Sequence, residues 1–175
     1  MSSEAQAIKN LNRETNIKLG KFMTNEMRIG ETIQDFRLRD QKREELHLYD
    51  LKGKKVLLSF HPLAWTQVCA AQMKSLEENH ELFAELNTVP LGISVDPMPS
   101  KKAWARELGI THIKFLSDFW PHGEVARAYG IFKEKEGVSE RANIIIDEDQ
   151  KVIFFKKYPG HELPDIREII EILKK

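Results

Sequence analysis

The chain has 175 residues, 41% apolar and 31% charged, and 27 basic side chains balance 27 acidic ones. That length suits one domain with a full core, and zero net charge argues against a nucleic-acid partner, which would need clustered Lys and Arg. No apolar run approaches the ~18 residues that span a bilayer, no secretion signal opens the chain, and a single cysteine permits no internal disulfide, so cytoplasm is the default compartment.

Residues 1–27 are polar with little periodicity and read as an N-terminal extension ahead of a domain over residues 28–175; Met23 and Met27 leave a later natural start open. Gln34 to Leu38 ends in the alternation of a half-buried strand. Lys52-Gly53-Lys54 makes a turn, and Lys55 to His61 follows as a strand. Thr66 to Leu86 repeats Val68, Met73, Leu76, Leu82, Phe83 and Leu86 at near-helical spacing. Pro90 to Val95 is a short apolar run, expected as a buried parallel strand. Asp96 to Ser100 is a loop ending in a helix N-cap serine, and Lys101 to Leu108 is a helix stopped by Gly109. Lys114 to Ser117 is a strand, and Glu124 to Tyr129 a short helix stopped by Gly130. Ala142 to Asp147 and Lys151 to Lys157 form a hairpin, and Leu163 to Leu173 closes the chain as an amphipathic helix with Pro164 in its first turn. This order is that of an α/β, thioredoxin-like fold: a mixed central sheet flanked by helices, parallel where strand-helix-strand units occur and antiparallel at the hairpin.

Cys69 ends the octet Pro62-Leu63-Ala64-Trp65-Thr66-Gln67-Val68-Cys69, after a strand and at the start of a helix. The nucleophilic form of a cysteine is its thiolate. A free thiol with a pKa of ~8.5 is about 3% ionised at pH 7, and moving it to ~6 takes about 3.4 kcal/mol. A helix N-terminus contributes roughly 0.3–1 kcal/mol, so a cation or several hydrogen-bond donors must help. Thr66, three residues upstream, is one candidate donor. Arg141, which opens a core strand after the polar loop 136–140, is the candidate cation, since guanidinium stays charged and donates in several directions. Taken singly, a lone cysteine is a small hydrophobe, Thr66 an N-cap and Arg141 a surface residue. Their joint spacing is what points to chemistry.

The sequence resembles the alkyl hydroperoxide reductase/thiol-specific antioxidant group of peroxiredoxins, from about Met27 to the C-terminus. The resemblance rests on Pro62-x-x-x-Thr66-x-x-Cys69, on Leu51 to Val56, on Ser117-Asp118-Phe119-Trp120-Pro121-His122-Gly123 running on to Gly130, and on Arg141-Ala142-Asn143. It implies that Cys69 attacks a peroxide oxygen and becomes a sulfenic acid. It further implies that Thr66 hydrogen-bonds the peroxide, Pro62 shields the site, Arg141 activates the thiolate, the Val68 and Cys69 N–H groups hold substrate oxygens, and Gln72 positions the arginine. A homodimer is also implied.

The chain departs from the family pattern in places. Gln34 stands where proline is usual, and Gln41-Lys42-Arg43 replaces an Asp-Gly turn. His61 and Trp65, flanking the motif, either line the pocket or pack, with packing the expectation. Lys74 stands where many relatives have a resolving cysteine, and the C-terminus Ile172-Leu173-Lys174-Lys175 offers none. The implied type is one-Cys, with reduction by an external thiol: a thioredoxin-like protein, glutaredoxin or a small thiol. The six histidines form no metal-binding pair, and no cofactor is implied. Lys133 to Glu136 reads as a solvated loop, and Phe119-Trp120-Pro121-His122 as either core or subunit interface. The leading function is a thiol-dependent peroxidase of hydrogen peroxide or organic hydroperoxides. The alternative, motivated by the missing resolving cysteine, is a non-enzymatic thioredoxin-fold redox sensor or chaperone-like binding protein.

Overall fold

The computed structural model describes residues 27–175. The predicted extension therefore lies outside the described residues, except for Met27, which packs against the core. In chain order the elements are β1 (Arg37–Arg39), β2 (Glu45–His47), a turn of 3-10 helix (Leu48–Leu51), β3 (Lys55–Phe60), α1 (Gln67–Glu78), α2 (His80–Glu85) and β4 (Thr88–Ser94). There follow α3 (Met98–Leu108), β5 (Lys114–Ser117), α4 (Glu124–Ala128), β6 (Phe132–Lys133), β7 (Val138–Ser139), β8 (Arg141–Ile146), β9 (Val152–Tyr158) and α5 (Ile166–Leu173). Among the described residues, seven strands form one sheet in the order β2-β1-β5-β4-β3-β8-β9, and β6 pairs only with β7. β3, β4 and β5 are parallel, while β8 and β9 continue antiparallel on one side and β1 and β2 on the other. This is the mixed, thioredoxin-like sheet expected.

The pleat decides what faces what. Along a strand, alternate side chains take opposite faces. On β3, Val56, Leu58 and Phe60 join the core with Ile33, Phe36 and Tyr129, while Leu57 joins Met73, Phe83, Trp104 and Ile169 beneath the helices. On β8, Ala142, Ile144 and Ile146 take the first face and Ile145 the second. Ser59, Arg141 and Asn143 therefore share the parity of Leu57 and Ile145, toward α1. On α1 the buried residues are Cys69, Gln72, Met73 and Leu76, one stripe at helical spacing.

Several boundaries differ from the sequence expectation. The helix read from Thr66 to Leu86 breaks at Asn79, whose Nδ2 donates to Ser75 O (2.8 Å) and whose N–H donates to Leu76 O (3.2 Å). Local bonding of this kind competes with helix continuation. Ser100 is not an N-cap: α3 begins at Met98 with Pro97 in the cap position and Pro99 in the first turn, where a missing N–H is not needed. Pro164 precedes α5, whose cap is Asp165, a carboxylate accepting from Arg167 N (2.9 Å). The first strand is Arg37–Arg39 rather than Gln34 to Leu38, and β2, β6 and β7 are two- or three-residue strands too short to show a period. The solvated loop read at Lys133 to Glu136 is exposed at Glu134, Lys135 and Glu136 and forms the tip of the β6-β7 hairpin, with Lys133 in β6 and Glu134 bonded to Arg127.

Candidate active site

β3 delivers the chain into the loop that carries the thiol. His61 N–H still bonds to Ile93 O (3.0 Å), so the backbone leaves the sheet only at Pro62, which is half-buried. Asp96 fixes the loop: its Oδ2 accepts from Ala64 N–H (2.8 Å) and from the Ser94 hydroxyl (2.6 Å). Trp65 turns the chain at φ 66°, a left-handed conformation that costs a non-glycine residue roughly 1–2 kcal/mol. Its indole N–H is held by Ser100 Oγ (2.9 Å). The predicted packing of Trp65 is thus corrected, for the residue is largely exposed, with its indole N–H held by this bond; His61 does pack, buried against Trp104.

Thr66 occupies the N-cap position of α1 without capping it. Its hydroxyl donates to Leu63 O at 2.9 Å. The proton that sequence reasoning offered to the thiolate is therefore spent on the loop, and the hydroxyl keeps only its acceptor lone pairs. Cys69 is the third residue of α1 and is 1% exposed. The first bond closing the helix runs from Ala70 N to Thr66 O (2.9 Å), so the Val68 and Cys69 N–H groups are among the orphan donors of a helix start.

Arg141 arrives from the other end of the chain. β8 runs antiparallel to β3 with Ala142 opposite Phe60 and Asn143 opposite Ser59, which places Arg141 beside the loop on the α1 face. Its Nη2 lies 3.4 Å from Cys69 Sγ and donates to Gly160 O at 2.9 Å; its Nη1 makes a short bond to Gln72 Oε1. Gln72 is fixed from behind. Its Nε2 donates to Ser59 Oγ (2.7 Å) and to Phe60 O (3.3 Å), and Ser59 passes its own proton to Asn143 Oδ1 (2.8 Å). With its amide nitrogen committed to β3, Gln72 can present only its oxygen to the guanidinium. A buried thiol with a clamped guanidinium at sulfur and free N–H groups beside it suits nucleophilic attack with stabilisation of a departing oxyanion. Among the described residues no group of three His, Cys, Asp or Glu side chains is placed to hold a metal ion.

The model of the AhpC/TSA family matches residues 29–155. The chain belongs to this family. It is 40% identical over 136 residues to alkyl hydroperoxide reductase E of Mycobacterium tuberculosis, covering 77% of this chain and 88% of that one. It is 33% identical over 156 residues to peroxiredoxin-1 of Gekko japonicus, covering 83% and 76%. Among solved structures, the reduced 2-Cys peroxiredoxin of Plasmodium vivax superposes with a TM-score of 0.76 at 27% identity, covering 83% of this chain and 80% of that one. Peroxidoxin BcpB of Mycobacterium tuberculosis superposes at 0.74 with 26% identity, covering 85% and 97%. As an AhpC/TSA member the chain is a peroxiredoxin and a thiol-dependent peroxidase, and its lone cysteine fits the one-Cys type. The rival reading as a non-enzymatic sensor or chaperone is not favoured by these relatives.

For this peroxiredoxin the fold brings Cys69, Arg141 and Gln72 into direct bonding, with Pro62, Thr66 and Val68 in the same loop and helix start. Sequence reasoning missed Ser59, Asn143, Asp96 and Gly160. Ser59 and Asn143 carried a signal: polar residues at the face-matched positions of two apolar strands. Gly160 acts through its carbonyl, which any residue possesses, so no side-chain pattern could reveal it.

Proposed function

We propose that Cys69 is the peroxidatic residue and that the set Cys69, Arg141, Gln72, Thr66, Val68 and Pro62 reduces hydroperoxides as follows. The Cys69 thiolate attacks one peroxide oxygen. The O–O bond breaks, that oxygen stays on sulfur as sulfenic acid, and the departing alkoxide takes a proton to leave as alcohol or water. Arg141 holds the sulfur's charge and faces the departing oxygen, Gln72 aims the guanidinium, and the Val68 and Cys69 N–H groups receive the peroxide. Thr66 accepts the hydroperoxide's own proton in a hydrogen bond, and Pro62 limits water. The observation that carries this is the Arg141 Nη2 contact to Cys69 Sγ at 3.4 Å, made across 72 residues of chain.

With no second cysteine in the sequence, the sulfenic acid is resolved from outside. One external thiol displaces water to form a mixed disulfide, and a second thiol releases Cys69, leaving the reductant as a disulfide. That chemistry suits a compartment that keeps thiols reduced, which supports a cytoplasmic setting. The exposed aromatic ridge of Phe119 and Trp120 beside Pro97 and Met98 supports a homodimer through this face.

The test is hydrogen peroxide and cumene hydroperoxide consumption with dithiothreitol as donor. Wild-type protein is expected to turn over, and Cys69→Ser to fall to background with mass spectrometry showing no sulfur oxidation in it. Full turnover by Cys69→Ser would sink the assignment.

A further inference from the structure

In the turn between β1 and β2, Gln41-Lys42-Arg43 stands where an Asp-Gly turn is usual. Arg43 sits there at φ 68°, a left-handed conformation that glycine takes freely and a larger residue takes at a cost. The turn is firmly fixed. Asp40 Oδ1 accepts from Lys42 N–H (2.8 Å) and Glu44 N–H (3.0 Å), while Gln41 Nε2 donates to Ile113 O (2.9 Å) and Gln41 Oε1 accepts from Phe115 N–H (2.7 Å). None of these bonds uses the Arg43 guanidinium.

Gln41 and Arg43 form one wall of a cavity of about 320 Å³ whose other wall is α3. Lys102 and Arg106, one helical turn apart, bring two more cations to it, and Met98, Pro99 and Ala103 supply apolar surface. Among the described residues no acidic side chain lines this cavity. The acids nearest Arg43 in the turn are engaged elsewhere: Asp40 and Glu44 both hold Lys114 Nζ, at 2.8 Å each. Like charges at i and i+4 on a helix repel, so Lys102 and Arg106 add a second local cost beside that of Arg43. Local rules broken together at one place are the mark of a functional site.

We infer that this cavity binds a diphosphate group, free or carried on a small organic body. Guanidinium forks match phosphate oxygens through paired hydrogen bonds, and Arg43 and Arg106 bring such forks from the two walls. A single phosphate carries about −1.5 to −2 near pH 7, short of three cations, whereas a diphosphate carries enough charge to neutralise all three. The apolar residues of α3 suit an organic body, and the volume lies in the range of small-ligand sites, about 300–1,000 Å³. Zero net charge over the chain keeps this positive spot local rather than part of a nucleic-acid surface. The cavity shares Met98 and Pro99 with the groove of Phe119 and Trp120 but no lining residue with the Cys69 loop. It therefore stands apart from the peroxidase reading and does not depend on it.

The test is isothermal titration calorimetry of the full chain at about 50 mM salt, where exposed charges are weakly screened. Pyrophosphate, ADP and adenosine are titrated into wild type, Arg43→Gly, Arg106→Gln and Lys135→Gln, the last removing an equal charge from the exposed tip of the β6-β7 hairpin. Wild type is expected to bind pyrophosphate and ADP at one site and to ignore adenosine. Arg43→Gly and Arg106→Gln are each expected to weaken both diphosphates about tenfold, the size of a lost charge-assisted hydrogen bond, while Lys135→Gln follows wild type. Arg43→Gly is also expected to raise the thermal midpoint of the free protein, because glycine relieves the turn at φ 68°. ADP binding tighter than pyrophosphate identifies a diphosphate on an organic body, and equal or weaker ADP binding a free one. No binding of either diphosphate at millimolar concentration, adenosine binding as tight as ADP, or losses no larger than that of Lys135→Gln would overturn the inference. An Arg43→Gly midpoint below wild type would also overturn it, by showing that the arginine serves the fold. Tighter binding of a hexaglutamate peptide than of either diphosphate would do the same and give the cavity to an acidic protein segment.

Discussion

Single side chains here do unusually specific jobs because their alternatives are already taken. Gln72 shows its oxygen to Arg141 because its nitrogen is bonded to Ser59 and Phe60. Thr66 keeps only lone pairs because its proton goes to Leu63. Glu77, near the end of α1, works in the same way for the fold. Its oxygens accept from Thr111 N (2.9 Å), the Thr111 hydroxyl (2.9 Å), His112 N (3.1 Å) and Ile113 N (3.1 Å), tying α1 to the segment that leads into β5. Burial pushes this carboxyl up, but the hydrogen bonds more than reverse it and hold it at about 2. A depressed carboxylate stabilises the fold above its unfolded value and loses that contribution as pH falls through the folded one. Glu77→Gln is therefore expected to lose about 1–2 kcal/mol at pH 7 after solvent screening. The gap to wild type should close between pH 4.5 and 2 in urea titrations. A gap that stays constant to pH 2 would contradict the assignment.

At the level of elements, α1 must lie close to the sheet for Cys69 to reach Arg141. Gly92 on β4 allows that approach: a Cβ there would meet Met73 Sδ at 2.5 Å and Phe115 Cδ1 at 3.1 Å. Met73 is one residue beyond Gln72 on the buried stripe of α1. Gly92→Ala is expected to cost about 1–3 kcal/mol, the usual penalty of overpacking, and to slow peroxide reduction by displacing α1 from Arg141. Urea midpoints and the rate measured on the same preparation check both. A stable variant with wild-type rate would show that Met73 can yield without moving the helix. The regular elements were readable where their period was long: β3, β5, α3, β8, β9 and α5 were all placed within a few residues. The three-residue strand β1 was read from its alternation with shifted bounds, whereas β2 folds as its edge partner, a pairing that no local pattern records.

Across the whole molecule, polar and apolar surface are not evenly spread. Trp120 is 81% exposed, and Phe119, Trp65 and Leu63 are also open to solvent. A cluster of aromatic residues this exposed is costly to hydrate and marks an interaction face. Trp65 is bonded to Ser100 on α3, and Met98 and Pro99 of the same helix line the groove with Phe119 and Trp120, so these side chains flank one region next to the Cys69 loop. If two copies meet there, Trp120→Glu is expected to shift the protein from dimer to monomer in light scattering at micromolar concentration, and to leave far-UV circular dichroism unchanged. A wild-type monomer, or a variant that still dimerises, would remove this face as the interface.

What the sequence determined by itself was the candidate nucleophile and its loop. Pro62, Thr66 and Cys69 lie within eight residues, so their spacing survives any arrangement of the rest, and the single cysteine is what motivates the proposal of an outside thiol. Arg141 and Gln72 could be named by resemblance, but their bonding required strand order and pleat parity: β8 had to pair with β3 in the register that sets Asn143 against Ser59. The burial of Lys101 was invisible for the same reason. In the sequence Lys101 and Lys102 are two equal lysines, and only the packing of α3 on the sheet leaves one in water and the other unpaired in the core. Local chemistry is written along the chain, whereas the electric environment of a buried sulfur is a sum over groups that only folding brings together.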